Sequence, residues 1–510
     1  MSYSNEDLGL LLRHINLGSG VAEHDNRLES ARVETSAFAD LINDRVDLVP
    51  GTKGSGKSAL FRILVDFLPS FLLDMNKVVI AHGVQKYGDE VFHAFNDKFE
   101  HLSEDDFVSF WCIYLVSLAH EHFIKGDAHK EHLAVADTEI KEFVQACYKA
   151  SIPNIEAKKS LREILAWNLA ILKKWRPKLK YDLPGDAGGI TLDMFGSASD
   201  AQSKEENIEP IPKYVDDIKT ALEAILEKTD LSIWLMIDRL DEIFPRRSDV
   251  ERRALRGLLR AVRPFGSNRI RVKIFLRDDM LQEVVSGPEG FTALTHLTAR
   301  QADTLRWSES AIQTMIVKRL FANQELVELL GVDTERLEAS QAYRDECFYK
   351  VFPPTVFSGT KQSSTLSWIY GHTKDGRGVV TPRDVIDLTR RAIQWESDRC
   401  RADADGTSEH IISARAILYG LGEVSIAKKT NLLKAEFPHL WPHIAKFEGG
   451  KTEYNVKTLK RMFDADWHEV CSDLVSIGIL QQRGRSNGGS ETYWIPHLYR
   501  KGLDLTQGKM

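Results

Sequence analysis

Eight residues constrain this chain more than any others. Residues 51–58 read Gly-Thr-Lys-Gly-Ser-Gly-Lys-Ser, a full match to G-x-x-x-x-G-K-[ST]. The preceding run, 45–50, is apolar enough for a short strand, and 59–68 carries apolar residues at helical spacing. Strand, glycine-rich turn and helix in that order make a phosphate cradle. Gly51, Gly54 and Gly56 let the backbone wrap closely around phosphate oxygens with its N–H groups turned inward, and the helix start adds the positive end of its dipole. Lys57 supplies a mobile positive charge to the β- and γ-phosphates, and Ser58 a hydroxyl ligand for Mg²⁺. The expected nucleotide-binding set is Gly51, Thr52, Lys53, Gly54, Ser55, Gly56, Lys57, Ser58 and Ala59. Within it, Lys53 is either a further phosphate contact or a solvated loop residue. A glycine-rich turn ahead of a surface helix is the plain alternative for the whole segment, and its strand-loop-helix setting weighs against that.

A phosphate loop alone binds; hydrolysis also needs carboxylates to hold the Mg²⁺ shell and to orient or deprotonate water. Residues 233–242 read Ile-Trp-Leu-Met-Ile-Asp-Arg-Leu-Asp-Glu. Five apolar residues ending in Asp238 place that carboxylate at the C-terminal edge of a buried parallel strand, where open α/β sheets bind ligands. Asp241 and Glu242 follow within one turn. Further strands are expected at 77–81, 271–276 and 302–307, with helices at 213–228, 250–263 and 308–320. This alternation predicts an α/β fold: a parallel sheet with helices on both faces.

The apolar run closing in D-x-x-D-E resembles the Walker B of signal-transduction ATPases with numerous domains (STAND), relatives of the AAA+ and initiator ATPases within the ASCE class. More narrowly, VETSAFADLI, KGSGKSALF, DRLDE and IFLRDD resemble a bacterial P-loop ATPase family with a DRLDE signature, many of whose members sit in conflict or mobile-element loci. The resemblance covers 30–320 in patches and the C-terminal third loosely. It implies ATP and Mg²⁺ as cofactors, Lys57 as a catalytic cation, Asp238 as a metal ligand beside Ser58, and Asp241 or Glu242 as the catalytic acid, Glu242 being preferred. Residue 239 is Arg where the common AAA+ form has the catalytic Glu, which passes that role along the chain. It also implies that Arg277 reads the γ-phosphate and that Arg383, in Thr381-Pro382-Arg383 at a helix start, touches nucleotide from a lid. A salt bridge with Asp278, Asp279 or a neighbouring loop is the other reading of Arg277, and helix-surface charge that of Arg383.

The expected organisation is an N-terminal helical arm (1–40), an ATPase core (41–320) with a helical insertion at about 89–228, a helical lid (321–410) and a helical, winged-helix-like domain (411–510). Within the insertion, 181–212 is dense in Gly, Pro, Ser and Asp and reads as a loop. In the last domain two helices precede an alternating hairpin with a Gly/Asn turn, placing Arg483 and Arg485 near a possible nucleic-acid backbone. The arginines at 252, 253, 256, 260 and 263 are a nucleic-acid track, a source of an arginine finger, or a solvated face with acidic partners. With 67 basic and 74 acidic residues and a net charge of −7, non-specific coating of nucleic acid is excluded. The N-terminus lacks the basic start and unbroken apolar run of a signal peptide, and the five cysteines show no CxxC spacing. No apolar stretch reaches the ~20 residues of a bilayer-spanning helix. These features predict a cytoplasmic protein without a membrane partner. A switching ATPase would act as a homo-oligomer, with DNA or a partner protein at the C-terminal region. The second reading is a nucleotide-gated binding module with little turnover.

Overall fold

The computed structural model describes residues 2–67, 77–83, 102–126, 129–150, 211–242, 248–285, 291, 299–359, 361–484 and 491–509. The expected loop at 181–212 falls almost wholly outside them, as does Arg485. The chain forms two compact units, Ala39–Gly51 with Leu60–Thr304, and Met1–Phe38 with Thr52–Ala59 and Leu305–Met510.

The first unit is built on four parallel strands, β1 (Leu48–Gly51), β2 (Val78–His82), β3 (Ser232–Ile237) and β4 (Ile270–Arg277), in spatial order β1-β4-β3-β2. β4 therefore separates the strand that leads into the glycine-rich loop from the strand that ends before Asp238. Ile233 to Ile237 of β3 are all buried, as an unbroken apolar run in a covered parallel sheet requires. Helix α1 (Lys57–Arg62) follows the loop and loosens into a π-turn, Ile63–Phe67; Phe61 meets Phe275 of β4 edge-on at 5.7 Å.

Helix α2 (Glu104–Ala119) begins with a capping box. The Ser103 hydroxyl accepts from the Asp106 N–H at 3.2 Å, and the Asp106 carboxylate accepts from the Ser103 N–H at 3.0 Å. Among the described residues only Glu104–Ile124 is long and apolar enough to cross a membrane, with mean hydropathy 1.3, but 78% of that window is buried in the protein core. Helices α3 (Ile211–Thr229) and α4 (Asp249–Phe265) complete this core with α2, and the Trp111 indole N–H donates to the Ala254 carbonyl at 2.8 Å.

One strand expectation changes. Residues 302–307 form no strand; instead Gln301 makes a single parallel bridge to Leu48 along the outer edge of β1. Leu48 N–H donates to the Arg300 carbonyl at 3.2 Å and Ala302 N–H donates to the Leu48 carbonyl at 2.8 Å, but the next donor along this edge would be Pro50, which has no N–H, and the ladder stops there. This edge segment is tied down by charge. Arg300 reaches Asp47 at 2.5 Å, and Asp47 also accepts from the fully buried Lys273 of β4 at 3.0 Å. Burial pushes the neighbouring Asp44 carboxyl up, but Lys273 and Arg271 outweigh it and hold the group below its ordinary value.

The second unit is mainly helical: α5 (Glu309–Phe321), α6 (Thr365–His372), α7 (Pro382–Ala402) and α8 (Ala414–Lys428) share one core with the N-terminal helix Asn5–His14. Tyr3–Ser4 pairs antiparallel with Thr407–Ser408, and Ser397 of α7 donates to the Gly9 carbonyl at 3.2 Å. The buried Arg319 of α5 anchors the N-terminal segment through Asp25, with contacts at 2.6 and 3.1 Å. At the C-terminus β5 (Lys451–Asn455), α9 (Val456–Phe463) and α10 (Trp467–Ser476) precede the hairpin β6 (Gln481–Arg483) and β7 (Thr492–Trp494), and β8 (Thr506–Lys509) closes the chain. These strands form one sheet in the order β8-β5-β7-β6. The hairpin stands where the Gly/Asn turn signal predicts it; β8 carries no such signal.

Candidate functional site

The loop leaves the sheet at Gly51, the last residue of β1, which stands level with Arg277 of β4. Ser55 N–H donates to the Thr52 carbonyl at 3.2 Å, and the chain then turns through Gly54 (φ 81°) and Gly56 (φ 100°). Both angles lie in the left-handed region, where an L side chain adds strain. Lys57 opens α1, and its amine donates back across the loop to the Thr52 carbonyl at 2.9 Å. Ser58 and Ala59 follow, both half-buried. The hydroxyls of Thr52 and Ser55 are buried, yet neither oxygen has a hydrogen-bond partner among the described residues. Buried polar atoms normally find partners, so two such hydroxyls in an eight-residue loop fit a site shaped for a polyoxyanion.

Four side chains of the helical unit surround this loop. A Cβ on Gly54 would lie 3.4 Å from Arg383 Cβ and 3.5 Å from Thr381 Oγ1. Thr381 caps α7 by accepting from the Asp384 N–H at 3.3 Å, with Pro382 in the first turn, as their sequence pattern implies. Arg383 is thereby held beside the loop, and its Nε donates to the Gly20 carbonyl at 3.0 Å. The Trp307 indole N–H donates to the Ser55 carbonyl at 2.7 Å. Lys53 pairs with Glu436, whose side chain is 7% exposed. Sequence reading gives Trp307 and Glu436 no role, because their partners lie hundreds of residues away.

In the sheet unit, β3 ends and Asp238 follows, 4% exposed. Arg239 takes a left-handed φ of 57°, an angle non-glycine residues adopt at some cost, and the chain tightens into the 3₁₀ turn Leu240–Glu242. The side chain of Glu242 lies outside the described residues. Asp241 is brought to Arg277, whose buried guanidinium reaches it at 3.3 Å and grips Asp279 at 2.7 and 3.0 Å. Arg277 thus makes the carboxylate contacts that the second reading of its sequence foresaw. The arginine row of α4 also has acidic partners: Arg260 bonds Glu104 and Asp105, each at 2.8 Å, and Arg256 lies 3.7 Å from Glu104.

Two histidines of this unit, His120 and His122, are held neutral at pH 7. Burial pushes His120 down to about 4, helped by Lys125, and His122 down to about 4, helped by His82. The His120 ring stacks on Phe143 at 6.0 Å.

A parallel sheet whose first strand runs through a glycine-rich, phosphate-shaped loop into a helix is a P-loop α/β fold. No family model matches the chain, and no curated protein matches it. Among solved structures it is similar to Drosophila ORC bound to DNA, at 11% identity and TM-score 0.26, covering 94% of this chain and 90% of that one. It is also similar to a Walker-type ATPase of Pyrococcus abyssi, at 11% identity and TM-score 0.36, covering 96% of this chain and 100% of that one. Overlaps this loose carry no argument about activity, which rests on the geometry above.

Proposed function

We propose that the protein is a Mg²⁺-dependent ATPase whose nucleotide cycle drives a switch in conformation or assembly. The observation that carries this reading is the loop itself, with left-handed glycines, buried unpartnered hydroxyls on Thr52 and Ser55, and a lysine amine across its mouth. In this role the loop amides and Lys57 hold the β- and γ-phosphates. Ser58 and Asp238 hold the Mg²⁺, which when bound neutralises charge building on the transferred phosphoryl oxygens. Glu242 or Asp241 orients the attacking water. Arg383, already beside Gly54 within the same unit, senses an occupied loop. A homo-oligomer and a cytoplasmic setting belong to the same proposal, and a bacterial defence or mobile-element context enters it through sequence resemblance alone.

The test is calorimetric binding of Mg²⁺–ATP together with phosphate release. Lys57→Ala is expected to weaken binding at least tenfold, and Glu242→Gln to bind normally and stop turnover. Absence of any binding heat for a Mg²⁺–nucleotide with folded wild-type protein refutes the reading.

A nucleotide-gated DNA- or protein-binding module is the second reading, favoured by one feature of the C-terminal sheet. Arg483 and Arg500 lie 4.3 and 4.7 Å from the Trp494 ring centroid, and among the described residues neither has a carboxylate in salt-bridge reach. Strand, two helices and hairpin are the elements of a winged helix, and an unneutralised arginine pair beside a Trp suits a phosphodiester backbone. Phosphate release with and without duplex DNA separates the readings: stimulation marks a DNA-coupled ATPase, and negligible turnover with retained ATP binding marks the gated module.

A further inference from the structure

A trans peptide is planar, so its carbonyl and the following N–H point in opposite directions. Whatever holds one therefore aims the other. In the glycine-rich loop, the Ser55 carbonyl accepts the Trp307 indole N–H at 2.7 Å. The Gly56 N–H, at the other end of that peptide, is accordingly turned away from Trp307. A glycine at 56 leaves the peptide free to rotate, since both halves of φ space are open to it. Rotation would turn the Ser55 carbonyl toward the cradle, where its negative end opposes a phosphate.

Trp307 is well placed to prevent this. It immediately precedes Ser308, whose hydroxyl caps α5 by accepting from the Ala311 N–H at 3.1 Å. Its own carbonyl accepts the Tyr370 hydroxyl of α6 at 2.9 Å. Glu309, two residues on, accepts from Ser367 of the same helix at 2.6 Å. The ring packs on the core of the helical unit, and its edge lies 3.6 Å from where a Gly56 Cβ would stand. The indole is thus fixed at its backbone, along its ring and at its N–H.

We propose that Trp307 is a positioning residue for nucleotide binding: by holding the Ser55 carbonyl outward it presets the Gly56 N–H as a phosphate donor. This rests on the nucleotide-binding reading of the loop. Its signature is a binding defect shared by ATP and ADP, because the preset donor serves a phosphate present in both, with little effect on the chemical step.

The test is Trp307→Phe, which keeps a ring against Gly56 and removes the N–H. Calorimetry is expected to show Mg²⁺–ATP and Mg²⁺–ADP weakened together by about tenfold, in line with one lost hydrogen bond, while kcat at saturation stays within twofold. Tyr370→Phe, which releases the Trp307 carbonyl and leaves the indole intact, is expected to weaken both nucleotides about threefold, and it decides the matter should Trp307→Phe fail to fold. Nucleotide affinities within twofold of wild type in folded Trp307→Phe overturn the proposal, as does a loss confined to kcat or to the melting temperature. Failure of wild type to bind either nucleotide would instead overturn the reading of the loop, and this inference with it.

Discussion

Replacing Arg277 by Met tests the acidic edge of the sheet. The substitution keeps the side-chain stem and removes a guanidinium, 7% exposed, that bonds Asp279 at 2.7 and 3.0 Å and Asp241 at 3.3 Å. Breaking a fully buried ion pair costs about 3–5 kcal/mol, mostly for the charge left behind. Here the two carboxylates are 23% and 29% exposed, so water takes back part of that cost and about 2–3 kcal/mol is the expected loss. For a unit of this size that is a fall in melting temperature of roughly 4–12 °C. Differential scanning calorimetry at pH 7.5 reads it directly. Arg277→Met combined with Asp279→Asn should lose less than the sum of the single changes, since the second removes a charge the first has stranded. A fall under 2 °C in the single variant, or strict additivity in the double, would refute the argument that these carboxylates depend on Arg277. Nucleotide adds a second readout: if Arg277 also meets a γ-phosphate, the variant weakens ATP more than ADP.

Gly54→Ala should cost about 1–2 kcal/mol of stability, because φ is 81° there, and should weaken nucleotide binding several-fold, because relieving that strain turns the loop amides away from their present path; melting curves and calorimetry check the two effects. Glu436→Gln should tighten Mg²⁺–ATP a few-fold, since it frees Lys53 from a nearly buried carboxylate beside the loop; unchanged affinity would make that pair structural only. Stability should fall as pH drops. His120, ordinarily near 6.5, is pushed down to about 4 in the folded protein, so the unfolded chain takes up its proton first. Its contribution is present in full above pH 6.5 and declines through pH 4, by up to about 3 kcal/mol. His120→Gln should flatten the decline of melting temperature between pH 7.5 and 5.

What sequence disclosed about this protein was local chemistry. The phosphate loop is legible because eight adjacent residues carry all of its requirements, and β3 because five consecutive apolar residues have no other comfortable place. Thr381 and Pro382 declare a helix start for the same reason: cap and first turn are neighbours. What stayed hidden depends on residues meeting through space. Ser55 and Trp307 lie 252 positions apart, and Lys53 and Glu436 lie 383 apart; no spacing rule links either pair. The arginines of α4 look like an open basic face in one dimension, and only the fold sets Glu104 and Asp105 against them. The strand expected at 302–307 does not form, because the ladder along the outer edge of β1 stops at Pro50, which has no N–H to donate. Strand β8, reading Thr-Gln-Gly-Lys, is too polar for periodicity to find and exists because β5 offers it a free edge.

The company kept by residues 52–59 bears on how this protein can be taken apart. Trp307, Thr381, Arg383 and Glu436 all come from the second half of the chain, long after the sheet is complete. A shortened polypeptide stopping near residue 320 would retain every letter of the motif while losing three of those four neighbours. Weak nucleotide retention by such a fragment would then report missing scaffolding, and would say nothing against the motif.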